Sequence, residues 1–149
     1  MMQAVLFDTS VYITALRTRD APPFTLSGLA AGAVTWMSSV VLEELFAGAN
    51  PRSRPVVEKL ERDFHGARRI LVPNLTDWTQ TGRVLSLLSA KYGFEGFGQG
   101  WLTNDALIAL SAGRAGITVV TANARDFRRL AEFRPFQWRT VNPSAGGNA

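Results

Sequence analysis

The chain's 149 residues, 46% hydrophobic and 19% charged, suffice for one buried core and fall short of two. No stretch approaches the roughly 18 uninterrupted apolar residues of a membrane helix, and Met1 to Asp8 carries no basic stretch ahead of its apolar run, so the reading is a cytoplasmic chain with no membrane span and no signal peptide. The absence of Cys excludes disulfides and thiolate metal sites, while sixteen bases against twelve acids leave a formal charge of +4.

Gln3 to Phe7 is a β-prone run closed by Asp8, and Thr9-Ser10 then signals a helix start. Arg17 to Pro23 is polar and proline-marked, hence a loop, and Thr25 to Ala31 reads as a short helix before Gly32. Ala33 to Met37 is a second strand, and Ser38-Ser39 caps a helix that runs through Val40 to Phe46 and stops near Gly48. A helix from about Pro55 to Phe64 follows, then a strand from Arg69 to Val72 stopped by Pro73. Thr76 to Tyr92 is the longest helical pattern, with Leu85, Leu88 and Tyr92 at helical spacing. Gly93 to Gly100, with four glycines, reads as a loop beside a site. Thr103-Asn104 is expected to cap a helix from Asp105 to about Arg114, and Ile117 to Thr121 has the β-branched character of a buried parallel strand. A turn over Ala122 to Arg125 leads to a short helix, Asp126 to Glu132, and to a last strand, Gln137 to Val141. Residues 1–142 are thus expected to form one α/β domain around a mainly parallel sheet, with 143–149 a frayed tail. The four tryptophans, Trp36, Trp78, Trp101 and Trp138, read as core, with Trp101 as the exception to watch.

In open parallel sheets the ligand crevice lies outside the carboxyl ends of the strands, so acids placed there are counted together. Asp8 follows the first strand, Glu44 lies in the helix after the second, Asp105 is expected in a helix's first turn, and Asp126 stands five residues beyond Thr121. Taken singly, each has an ordinary explanation. Asp8 suits an N-cap, first-turn acids complement the helix dipole, and Glu43-Glu44 reads as a solvated pair that a helical wheel does not separate. Together they are a set of mutually repelling carboxylates, which a divalent cation would neutralise. Oxygen donors with no Cys and one His favour Mg²⁺ or Mn²⁺ over zinc.

Fourteen of the sixteen bases are Arg, which binds phosphate bidentately and stacks on bases. They gather in two stretches, one from Arg52 to Arg69 and one from Arg125 to Arg139, a distribution that suits a nucleic-acid partner.

The acids and their neighbours resemble the PIN-domain family, and especially the VapC toxins of bacterial toxin–antitoxin pairs. The matching stretches are Leu6-Phe7-Asp8-Thr9-Ser10-Val11, Glu44-Leu45-Phe46-Ala47-Gly48, Asp105-Ala106-Leu107-Ile108-Ala109 and Thr121-Ala122-Asn123-Ala124-Arg125-Asp126-Phe127. No single one is specific; four in order at this spacing are. The resemblance picks Glu44 over Glu43, and it puts Asp126, not Asn123, on the family's most variable acid. It implies a three-layer fold with helices on both sides of the sheet. It also implies a Mg²⁺- or Mn²⁺-dependent endoribonuclease using Asp8, Glu44, Asp105 and Asp126, with Ser10, Thr121 and Asn123 orienting the carboxylates. The partners it implies are an RNA substrate, a small antitoxin that blocks the site and a second copy of the toxin. The segment from Tyr92 to Trp101 departs from the family's usual short approach to the third acid.

Rival readings fit less well. A dehalogenase-type phosphatase needs a second acid two residues after Asp8, where Ser10 stands, and a receiver domain needs an acidic pair near the first strand that is missing. A non-catalytic RNA-binding module has no reason to gather four acids. A non-toxin PIN-type nuclease of RNA processing shares the same acids and stays open at this stage. His65 lies far from the acids in sequence, and Gly93, Gly96, Gly98 and Gly100 precede no Walker lysine.

Overall fold

A strand covered on both faces must be apolar throughout, and Val5, Leu6, Phe7, Val119 and Val120 are each at most 2% exposed. They belong to the two central strands of a computed structural model that describes residues 2–17, 31–93 and 101–141. In chain order the elements are β1 (Gln3–Phe7), α1 (Thr9–Arg17), β2 (Ala33–Ser38), α2 (Ser39–Ala47), α3 (Arg54–Gly66), β3 (Ile70–Leu71), α4 (Leu75–Tyr92), α5 (Trp101–Ala115), β4 (Thr118–Thr121), α6 (Ala124–Ala131) and β5 (Trp138–Thr140). The sheet runs β3-β2-β1-β4-β5, and all four pairings are parallel. This is the expected α/β architecture, with six helices among the described residues around an all-parallel sheet.

That strand order places the functional end of the molecule. From β1 the chain leaves through α1 toward β2, and from β4 it leaves through α6 toward β5 on the other side. Between the carboxyl ends of β1 and β4 the connections diverge, and such a switch point leaves a crevice. The register Phe7 to Val120 is carried one residue further by the Asp8 amide, which donates to the Val120 carbonyl at 3.0 Å. Asp8 is therefore held level with Thr121 at the crevice floor.

The elements follow their sequence signals with a few differences. α2 is capped by Ser38, whose Oγ accepts from the Val40 amide at 3.1 Å, as the serines suggested. α5 begins at Trp101, so Thr103 and Asn104 lie inside the helix and Asp105 sits in its second turn instead of its first. Leu102 is buried and continues the apolar run of α5 backwards, and this packing outweighs the capping preference of the two polar residues. α4 starts on a capping box absent from the sequence reading: Asn74 Oδ1 accepts from the Asp77 amide and Asp77 Oδ2 from the Asn74 amide, both at 2.9 Å. β3 is two residues long instead of four. Trp78 is 54% exposed and not core, because the inward stripe of α4 is Asp77, Thr81, Val84 and Leu88, and Trp78 stands one position off it. Trp36 and Trp138 pack half-buried against the core. The expectations for 18–30, 94–100 and 142–149, including most of the short helix, the glycine-rich loop and the tail, lie outside the described residues, as does the side chain of Trp101.

The start of α4 and the end of α5 are joined by a charge pair. Arg114 Nε lies 3.0 Å from both Asp77 oxygens and a terminal nitrogen lies 2.9 Å from Oδ2, with Asp77 only 3% exposed. Truncating the partner of a buried carboxylate leaves its desolvation uncompensated. Arg114→Leu should therefore destabilise the fold by about 1–3 kcal/mol, read as a lower urea midpoint at unchanged slope. An unchanged midpoint would show that the capping box alone satisfies Asp77.

Candidate active site

Asp8 directly follows β1 and is 3% exposed, yet both of its oxygens are occupied. Oδ1 accepts from Ser10 Oγ at 2.5 Å and from the Val11 amide at 3.3 Å, and Oδ2 accepts from Thr121 Oγ1 at 2.5 Å. The Val11 bond is the ordinary N-cap bond of α1, so the bland reading of Asp8 is part of the truth. It does not account for Thr121, which reaches Asp8 across 113 residues of sequence. Each hydroxyl is itself aimed by an amide of the turn after β4. The Ala122 amide donates to Ser10 Oγ at 3.1 Å and the Asn123 amide to Thr121 Oγ1 at 2.9 Å. With those lone pairs taken, both hydroxyl protons point to Asp8, a donor arrangement made for the ionised carboxylate.

The other acids arrive on three helices. Glu44, half-buried on α2, accepts from Thr9 Oγ1 at 2.7 Å through Oε1, whereas Glu43 is exposed. Asp126 is 8% exposed in the first turn of α6, and its Oδ2 accepts from Asn123 Nδ2 at 2.9 Å. Asp105 is half-buried on α5, and among the described residues no hydrogen bond reaches its carboxylate. Standing in the second turn, it gains little from the helix dipole, whose effect fades within the first. Ser10 and Thr121 contact Asp8 and Asn123 contacts Asp126, the positions expected for carboxylate-orienting groups. Thr9 is an addition to the sequence reading, and its signal was its place between Asp8 and Ser10 at the start of α1. His65 is exposed on α3.

The four acids share one electrostatic neighbourhood. Burial pushes the Asp105 carboxyl up to about 8, helped by the charges of Asp8, Asp126 and Glu44 in that order. Burial also raises Asp8, with Glu44 adding to it, while the bonds from Ser10, Thr121 and Val11 pull it back down. Among the described residues no three His, Asp or Glu side chains are drawn into a ready-made metal cage. Mg²⁺ does not require one, since it keeps several waters and takes one or two carboxylates together with substrate phosphate. An all-oxygen set of mutually repelling carboxylates at the mouth of a crevice fits a hard divalent cation.

A family model for the PIN domain matches residues 5–133. No curated protein sequence matches. Solved structures do. The chain is similar to one in the DNA-bound VapBC of Salmonella typhimurium, at 22% identity over 94% of this chain and 98% of that one, with a TM-score of 0.63. It is also similar to one in VapBC2 of Rickettsia felis bound to a promoter DNA fragment, at 23% identity over 94% and 100%, with a TM-score of 0.65. VapBC-1 of nontypeable Haemophilus influenzae gives 21% identity over 93% and 98%, with a TM-score of 0.63. At these identities the likeness is one of fold.

The Asp105 environment sets a pH dependence in metal-free buffer. A carboxyl that keeps its proton to about 8 in the fold and releases it near 3.8 when unfolded makes the native state bind the extra proton between those values. Stability contributed this way is complete below 3.8 and falls as pH rises toward 8. The wild type in EDTA should therefore lose on the order of a few kcal/mol across that window, and Asp105→Asn should flatten the loss and melt higher at pH 8. Parallel melting curves for the two proteins would refute the shared field.

Proposed function

We propose that this chain, which belongs to the PIN-domain family, is a divalent-metal-dependent endoribonuclease acting as the toxin of a VapBC-type toxin–antitoxin pair. The observation that carries the reading is the gathering of Asp105, half-buried and with no hydrogen bond among the described residues, with three further acids from the end of β1, α2 and α6. Such an arrangement costs stability and has a use only when a cation enters it.

Asp8, Asp105 and Asp126, with Glu44, would hold Mg²⁺ or Mn²⁺. When bound, the cation supplies Lewis acidity toward a phosphodiester and lowers the pKa of an attacking water. The protein's own part is positioning. Ser10 and Thr121 favour the charged form of Asp8 against the burial that raises it and fix its orientation, Asn123 fixes Asp126, and Thr9 turns one oxygen of Glu44, leaving the other to orient the water or complete the ligand set. Asp105, the acid with no hydrogen-bond donor among the described residues, gains most from neutralisation. The basic surface favours an RNA polyanion over a neutral substrate. The VapBC assemblies of similar fold support a small antitoxin as the natural inhibitor, and a homodimer working in the cytoplasm completes the proposal. No helix among the described residues is long and apolar enough to cross a membrane.

The reaction class has a chemical signature. Attack by the RNA's own 2′-OH needs an acid and a base such as paired His, and leaves a cyclic phosphate. Attack by water in line with the departing 3′ oxygen leaves a 5′-phosphate and a free 3′-OH. Cleavage should require Mg²⁺ or Mn²⁺, stop with EDTA, yield 5′-phosphate ends and survive a single 2′-deoxy substitution at the cut. Asp105→Asn should lower kcat by about a hundredfold or more and abolish the rise in melting temperature that Mn²⁺ gives the wild type. Recovery of 2′,3′-cyclic ends would exclude the mechanism. Expressed alone, the wild type should arrest growth and Asp8→Ala should not; arrest by both would exclude nuclease action as its cause.

A further inference from the structure

The two arginine-rich stretches look alike in sequence and differ in space. On α3, Arg54, Lys59 and Arg62 alternate with Glu58, Glu61 and Asp63; Lys59 is paired with Asp63 at 2.6 Å, and Arg54 and Arg62, in no ion pair among the described residues, stand among exposed acids of the same helix. This is a mixed, solvated helix face. On and after α6 the acids are consumed elsewhere. Asp126 is turned inward with Phe127 and Leu130, and Glu132 accepts from Lys91 at 2.6 Å and from Tyr92 at 2.6 and 2.8 Å. Arg129 is spent too, its guanidinium 4.4 Å from the centre of the Tyr92 ring. Arg125, Arg128 and Arg134 remain exposed, and among the described residues no carboxylate is paired with any of them.

Arg125 and Arg128 stand three positions apart, hence on one face of α6, beginning directly beside Asp126. Eight helical residues carry this face about 12 Å away from the acids, and Arg134 follows a few residues later. Arg134 lines a cavity of about 470 Å³ together with Phe133, Pro135, Phe136, Gln80 and the Asp77–Arg114 ion pair. A duplex or an acidic peptide asks only for the charges. A single strand also brings bases that stack on apolar and aromatic surface.

We propose that the outer face of α6 is the track along which single-stranded RNA runs from the acidic crevice, its phosphates on Arg125, Arg128 and Arg134 and one of its bases in the cavity beneath Arg134. The inference deepens the nuclease reading and rests on it. Its test is a binding measurement in EDTA, where no cleavage is expected, using fluorescence anisotropy of a labelled single-stranded 12-nucleotide RNA over a salt titration. The Arg125→Gln/Arg128→Gln protein should bind about tenfold more weakly at low salt, with the log–log salt slope reduced by about 1.4, or 0.7 per lost phosphate contact on a single strand. The charge-matched Arg54→Gln/Arg62→Gln protein should stay within about twofold of the wild type. Gln80→Trp, which fills the cavity, should weaken binding of the RNA but not of an abasic ribose-phosphate chain of the same length. Melting temperatures establish that each variant is folded. Equal losses from the two double variants, or equal effects of Gln80→Trp on both ligands, would overturn the proposal, as would an α6 variant that loses affinity for a polyglutamate peptide but not for RNA. Wild-type cleavage in Mn²⁺ that is indifferent to Arg125 and Arg128 would sink the track alone. A chain that binds RNA along α6 and never cuts it would keep the track and sink the nuclease.

Discussion

The amide of Asp8 donating to the Val120 carbonyl is the bond on which the crevice depends. It extends the β1–β4 pairing past the last residue of β1, and so brings together Asp8, Thr121 and the turn whose amides orient both hydroxyls around Asp8. Side chains in a strand alternate between faces, so a slip of one residue would send Asp8 away from Thr121 and turn each side chain of the apolar run before it into the opposite layer, against packing shaped for its neighbour. The register is enforced by what lies behind it: Val5, Leu6, Phe7, Val119 and Val120 are all buried and have no other place to go. Core packing and site geometry are here the same constraint.

Around that fixed point the acids are treated unequally. Asp8 is surrounded by donors that offset part of its burial, Asp126 and Glu44 each have one, and Asp105 has none among the described residues. Burial and three neighbouring charges then fall on a single group, which holds its proton to about 8. A fold selected for stability alone would give Asp105 a partner or replace it. Strain concentrated on one residue of a polar cluster is the pattern expected where a ligand completes the structure.

Much of this was legible in the sequence. The order of strands and helices, the Ser38 cap and the positions of Asp8 and Asp126 follow from local signals, because caps, β-branched runs and glycine stops act within a few residues. Asp105 was placed in the wrong turn, since Thr103 and Asn104 mimic a cap while the burial of Leu102 depends on packing that no local pattern displays. Trp78 was read as core because large aromatics usually are. Its inward neighbour is instead Asp77, buried by a charge pair with Arg114 that closes across 37 residues. Thr9 went unnoticed for the same reason, its partner Glu44 lying 35 residues away. The two arginine clusters were indistinguishable until the structure showed where their acids go.

The edges of the sheet have a further consequence. A parallel sheet exposes unpaired amides and carbonyls along both outer strands, and these are templates for a neighbouring chain's strand. Here β3 spans two residues and β5 three, and β5 carries the exposed Arg139 and Thr140. So short a row of free donors, one of them beside a fixed positive charge, gives an incoming strand little to bind. Edges this short disfavour the sideways addition of further copies into fibres.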